Sequence, residues 1–75
     1  MTPREKHLQA IAEIADEHGY TVEDILGPCR HKHLVSVRHQ CFAMFYDRGY
    51  STPEIGRIMN RDHSTVSHAL NQRAI

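Results

Sequence analysis

Apolar residues recur at helical spacing in five separate runs of this chain, and no run alternates with the two-residue period of a strand. Leu8, Ile11, Ala12 and Ala15, widened by Ile14, predict a first helix from Pro3 to about His18. Thr2-Pro3-Arg4-Glu5 opens it as a capping box with proline at the first helical position, and Gly19 is its natural stop. Thr21-Val22-Glu23-Asp24 starts a second, short helix ending near Leu26, with Val22, Ile25 and Leu26 directed at the first. Residues 27–36 then read as the main loop, which contains no acid. Ser36 is expected to cap a third helix, Val37 to Arg48, closed by Gly49 and burying Val37, Cys41, Phe42, Met44 and Phe45. Ser51 or Thr52 caps a fourth, Pro53 to Met59, with Ile55, Ile58 and Met59 facing inward and Glu54 favourable near its positive end. Asn60 and Arg61 turn the chain into a fifth helix, Asp62 to about Gln72. The expected fold is all-α, a small bundle of about five helices.

The fifth helix differs from the others. Its apolar seam is thin: Val66, Ala69 and Leu70, continued by Arg73. The rest of its surface carries short hydrogen-bonding side chains, His63, Ser64, Ser67, His68 and Asn71, with Asp62 placed to cap the first turn. Donors and acceptors of this kind suit a groove of DNA, where base edges and phosphates complete their hydrogen bonds. Two short helices joined by a few residues, the second offering a polar face, make a helix-turn-helix. Gly56 falls in the middle of the fourth helix, where glycine costs about 1 kcal/mol relative to alanine; a close approach by another helix or by DNA would account for it.

Seventy-five residues make one small domain, expected to bury about 60% of its unfolded surface. There is no phosphate-binding Gly-x-x-x-x-Gly-Lys-Ser/Thr loop, no apolar run of membrane-spanning length and no signal peptide, so a soluble cytoplasmic protein is expected. The net charge is zero, which counts against nucleic-acid binding until its distribution is considered. Residues 1–27 set two basic residues against six acids, a net of −4; residues 28–75 set seven against three, a net of +4. The acidic third is expected to face away from DNA and the basic two-thirds toward it. Seven histidines add a side chain whose ordinary titration lies near neutrality. Cys29 and Cys41 are the only cysteines, and in a cytosolic chain no disulfide between them is expected.

Arg61-Asp62-His63-Ser64-Thr65-Val66-Ser67-His68-Ala69 resembles the signature Arg-Asp-His-Thr-Thr-Val-x-His-Ala of the C-terminal DNA-binding domain of the bacterial replication initiator DnaA. Ser51-Thr52-Pro53-Glu54-Ile55-Gly56 resembles that family's Ser-Leu-Pro-Glu-Ile-Gly, and Arg38-His39-Gln40-Cys41-Phe42-Ala43-Met44 its Arg-Gln-x-Ala-Met segment. The three stand in the family's order at nearly its spacing and cover roughly residues 10 to 73. DnaA itself is similar only in its last domain, so the resemblance implies a stand-alone DnaA-like domain without the ATPase.

The resemblance implies roles position by position. His63, Ser64 and Thr65 would read the major groove, with Asp62 capping the helix or accepting from a cytosine amino group. His68 corresponds to a histidine on backbone phosphate, and Arg38 to a phosphate-clamping arginine beside His39, where glutamine is usual. Arg57 and Arg61 flank the turn, and only Arg61 matches the motif arginine; Arg57 is expected to hold phosphate as a cation beside the turn, apart from the resemblance. Arg30, and with it Lys32 on the acid-free loop, would enter the adjacent minor groove, a mode that reads width and A·T content. Three departures stand out. Ser64 replaces a threonine and loses its methyl. The loop carries His31 and His33 in place of further arginines, which implies weaker binding at neutral pH. Met59-Asn60 stands where the family has Phe-Gly-Gly, one residue fewer.

The expected function is sequence-specific binding of double-stranded DNA at DnaA-box-like sites, in control of replication initiation or transcription, with no cofactor, small-molecule substrate or membrane partner. The alternative is a protein-interaction module docking to DnaA or other replication proteins, with little DNA affinity of its own. Cys29, His31, His33, His39 and Cys41 offer metal-binding atoms, but their spacing matches no common zinc finger and no metal is expected. Nothing orients a cysteine–histidine pair for nucleophilic chemistry, so no enzyme is expected either.

Overall fold

The computed structural model describes residues 2–73, and the described residues form five helices and no strand. These are α1 (Pro3–Glu17), α2 (Val22–Leu26), α3 (Lys32–Asp47), α4 (Thr52–Met59) and α5 (His63–Arg73). The chain divides between Arg38 and His39 into two compact units, the division falling within α3.

In the first unit, α1 opens with the expected capping box: the Glu5 amide donates to the Thr2 hydroxyl at 3.2 Å and the Thr2 amide to the Glu5 carboxylate at 3.2 Å. It ends at Glu17 with His18 as the C-cap, and the Tyr20 amide reaches back to the Ala15 carbonyl at 2.9 Å across Gly19, which has φ +78°. Thr21 and Asp24 form the same reciprocal cap on α2. Helices α1 and α2 pack together, and the buried residues of the unit are Ala10, Ile11, Ala15, Ile25, Leu34, Val37 and Arg38. Leu8, Ala12, Ile14, Val22 and Leu26 are only half-buried.

The start of α3 differs from the expectation. The helix begins five residues earlier than Val37, with the Val35 amide donating to the His31 carbonyl at 2.9 Å. Ser36 lies inside it and caps nothing. The reason is Leu34, which is 3% exposed and extends the stripe of Val37 and Cys41 by one turn. Full burial of a leucine is worth about 1.5–3 kcal/mol, more than the ~1 kcal/mol of a serine cap. The loop therefore shortens to residues 27–31, and Lys32 becomes the first residue of the helix.

In the second unit, Cys41, Phe42, Ala43 and Phe45 are buried on α3, Ile55, Gly56, Ile58 and Met59 on α4, and Val66 and Ala69 on α5. Met44, expected inside, is half-buried. Tyr50 follows the stop at Gly49 and stacks on Phe45, with centroids 5.4 Å apart. Helices α4 and α5 pack against each other. Arg73 belonged to the expected seam of α5, but its side chain lies outside the described residues.

Candidate nucleic-acid interface

Helix α4 is fixed at its start by a third capping box. The Ser51 amide donates to Glu54 Oε1 at 3.1 Å and the Glu54 amide to Ser51 Oγ at 3.4 Å. The Ser51 backbone bond, then its hydroxyl, hold the Glu54 carboxyl below the usual carboxylate range, with a smaller contribution from Arg57. At the other end Asn60 adopts the left-handed conformation, φ 57° and ψ 47°. Asparagine tolerates that region better than most side chains, so the left-handed residue that ends α4 needs no glycine here. The Arg61 amide then donates to the Gly56 carbonyl at 2.8 Å, and the chain turns over Gly56. A Cβ at position 56 would lie 2.6 Å from the Arg61 carbonyl oxygen, so this turn requires glycine. The side chain of Arg61 is half-buried, and its Nη1 donates to the carbonyls of Asn60 at 3.0 Å and Met59 at 3.5 Å. It thus completes the last carbonyls of α4, and burial lowers its pKa.

Helix α5 begins one residue later than expected, at His63, because Asp62 stands outside it as the cap. The Ser64 amide donates to Asp62 Oδ1 at 3.2 Å, and the amides of Thr65 and Val66 meet the Asp62 carbonyl at 3.0 and 3.3 Å. The Ser64 amide, with its hydroxyl next, keeps the Asp62 carboxyl below its usual range. His63 Nδ1 lies 3.3 Å from the same carboxylate oxygen. His63, Ser64, Thr65, His68 and Asn71 are exposed, while Ser67 is half-buried beside the seam. His68 Nε2 stands 3.1 Å from the Gln72 amide nitrogen, a partner one helical turn away that no motif pointed to. Arg57 is exposed on α4.

The helix-turn-helix thus brings Arg57, Arg61, Asp62, His63, Ser64, Thr65 and His68 onto one continuous element, α4–turn–α5. His39 belongs to α3, half-buried with its ring stacked on Phe42 at 5.7 Å. In the first unit, Arg30 is exposed on the shortened loop, and Lys32 is exposed in the first turn of α3. No acid occupies that turn, so the positive end of the helix adds to the two cations.

Arg38 does not stand where a phosphate clamp would. It is 5% exposed, with Nε donating to the Ile25 carbonyl at 2.7 Å and Nη2 to those of Cys29 at 3.0 Å and Gly27 at 3.1 Å. The assignment to phosphate is therefore corrected. Its position in the sequence carried the signal: Arg38 falls on the stripe of Leu34, Val37 and Cys41, four residues after the first.

Over residues 9–72 the chain matches the family described as the bacterial dnaA protein helix-turn-helix. The chain belongs to that family. No solved structure matches it. As a member of the DnaA helix-turn-helix family, the chain is a DNA-binding domain, and the family's partner is double-stranded DNA. The family is not a catalytic one. Among the described residues no three histidine, cysteine or acidic side chains are grouped to hold a metal ion, and no helix is long and apolar enough to cross a membrane. Cys29 is exposed and Cys41 buried, and neither forms a disulfide.

Proposed function

We propose that this domain binds duplex DNA sequence-specifically at DnaA-box-like sites, and that it regulates replication initiation or transcription by occupying them. The observation that carries the reading is the first turn of α5. Three short polar side chains, His63, Ser64 and Thr65, are exposed there at the end a recognition helix presents to the major groove. The Asp62 cap and the turn over Gly56 hold that end in place. Ser64 and Thr65 contact base edges, and Asp62 combines its cap with acceptance from a cytosine amino group. Arg57, His68 and His39 hold phosphates, and Arg61 supports the turn between the two helices. Arg30, joined by Lys32, supplies a separate minor-groove contact; its exposure and its place in the family pattern support this.

A mobility-shift titration with a DnaA-box duplex and a scrambled duplex of the same composition tests the proposal. Tighter binding to the box by at least about 1.4 kcal/mol, tenfold, is expected; equal affinity for both sequences refutes it.

A second reading is favoured by the acid-rimmed groove of the first unit, where Glu13 and Asp16 flank Ala12, Tyr20 and Val22. In it the domain docks to DnaA or another replication protein and has little affinity for DNA. The same titration separates the two, because a docking module shifts neither duplex.

A further inference from the structure

Arg38 is the only buried charged residue among the described residues. Its Nε donates to the Ile25 carbonyl at 2.7 Å, and its Nη2 faces the carbonyls of Asp24 at 3.4 Å, Gly27 at 3.1 Å and Cys29 at 3.0 Å. These four carbonyls belong to the end of α2 and the loop that follows it. A five-residue helix leaves most of its last carbonyls without intrahelical partners, and here one guanidinium serves them. The next residue after Cys29 is Arg30, exposed and without secondary structure of its own.

We propose that Arg38 is a positioning residue: its guanidinium fixes the course of the chain from Asp24 to Cys29 and so determines where Arg30 stands when this loop meets DNA. The inference rests on the minor-groove role given to Arg30 above. Arginine suits the task because its planar fork presents donors in several fixed directions. A lysine keeps the charge but concentrates it in one ammonium group, which cannot reproduce that fork. Arg38 therefore influences the shape-reading part of recognition while touching no nucleotide.

The test compares Arg38→Lys, Arg30→Ala and the double variant on box duplexes with A·T-rich and G·C-rich flanks. Arg30→Ala is expected to weaken binding to the A·T-flanked duplex by roughly 5- to 150-fold and to remove the flank preference. Arg38→Lys, with its charge intact, is expected to reduce the same preference, and the double variant to bind no more weakly than Arg30→Ala. Additive losses, or an undiminished flank preference in Arg38→Lys, overturn the inference.

Should Arg38→Lys fail to fold, the unsubstituted protein carries the test by nuclear magnetic resonance. Its Arg38 Nε–H should exchange slowly and stay in place when duplex is added, while the Arg30 Nε–H moves. A duplex-induced shift at Arg38 in a fast-exchanging signal identifies a phosphate ligand and overturns the inference. If Arg30→Ala binds as wild type, this inference falls and recognition by α5 stands. If the wild type binds no duplex, both fall.

Discussion

The carbonyl of Gly56 accepts a 2.8 Å hydrogen bond from the Arg61 amide, and the Arg61 carbonyl lies 2.6 Å from where any Cβ on residue 56 would sit. The two residues therefore set the distance between α4 and the start of α5. Replacing glycine by alanine inside a helix ordinarily gains about 1 kcal/mol. Here the obstructing atom is backbone, which cannot move aside as a flexible side chain can. Gly56→Ala should consequently destabilise the domain by about 1–3 kcal/mol net, read as a lower midpoint in urea unfolding at unchanged slope. Unchanged or raised stability would show that the turn relaxes freely.

Asn60 carries the only positive φ among the described non-glycine residues, 57°, and that single residue closes the turn between α4 and α5. A side chain without asparagine's local hydrogen bonding costs about 1–2 kcal/mol in this region. Asn60→Ala should lose about 1 kcal/mol of stability, whereas Asn60→Gly should change it by less than about 0.5 kcal/mol. Thermal melts of the two variants decide this, and equal losses would contradict a conformational cause.

Much of this architecture was legible in the sequence because it is encoded locally. The capping box at Thr2, the helix start at Thr21, the cap at Ser51 or Thr52 (Ser51 in the structure), stops at Gly19 and Gly49, and the Val66–Ala69 seam each involve residues within five positions of one another, and all of them form. What misled was a local signal opposed by a distant one. Ser36 has the chemistry of a cap, but burial of Leu34 carries the helix past it. Arg38 resembled a surface cation because its ligands, the carbonyls of residues 24–29, are main-chain atoms and leave no mark in side-chain identity. Gly56 was conspicuous in the middle of a helix, yet the atom that demands it belongs to Arg61, past the end of that helix.

Stability should decline in acid through two helix starts. The carboxyls of Glu54 and Asp62 are both held below their usual range by the amides they cap, those of Ser51 and Ser64. Each therefore binds a proton more readily in the unfolded chain than in the folded one. Their contribution is complete above the ordinary carboxylate pKa, about 4, and disappears as pH falls through the lower folded values. Melting temperature should be level near neutrality and drop below about pH 4. Glu54→Gln and Asp62→Asn should each make that drop shallower; an acid transition untouched by either would assign it to other carboxylates.

Base reading and phosphate binding should separate by their response to salt. Ser64 and Thr65 are exposed and uncharged, so replacing either by alanine removes contacts without releasing fewer counterions. Each should weaken binding by about 1–3 kcal/mol, relax the preference at one base position and leave the salt dependence unaltered. Arg57→Ala should do the reverse: weaken box and scrambled duplexes alike and make the salt slope shallower by about 1. With the three phosphate contacts of Arg57, His68 and His39, log K should fall with log salt at a slope of at most about −3. The Asp62–Ser64 cap adds one complication, since the Ser64 hydroxyl also helps to hold the Asp62 carboxylate. Thr65→Ala is free of that coupling and is the cleaner measurement. A loss of affinity in Thr65→Ala that spares sequence preference and alters the salt slope would transfer Thr65 from base reading to phosphate contact.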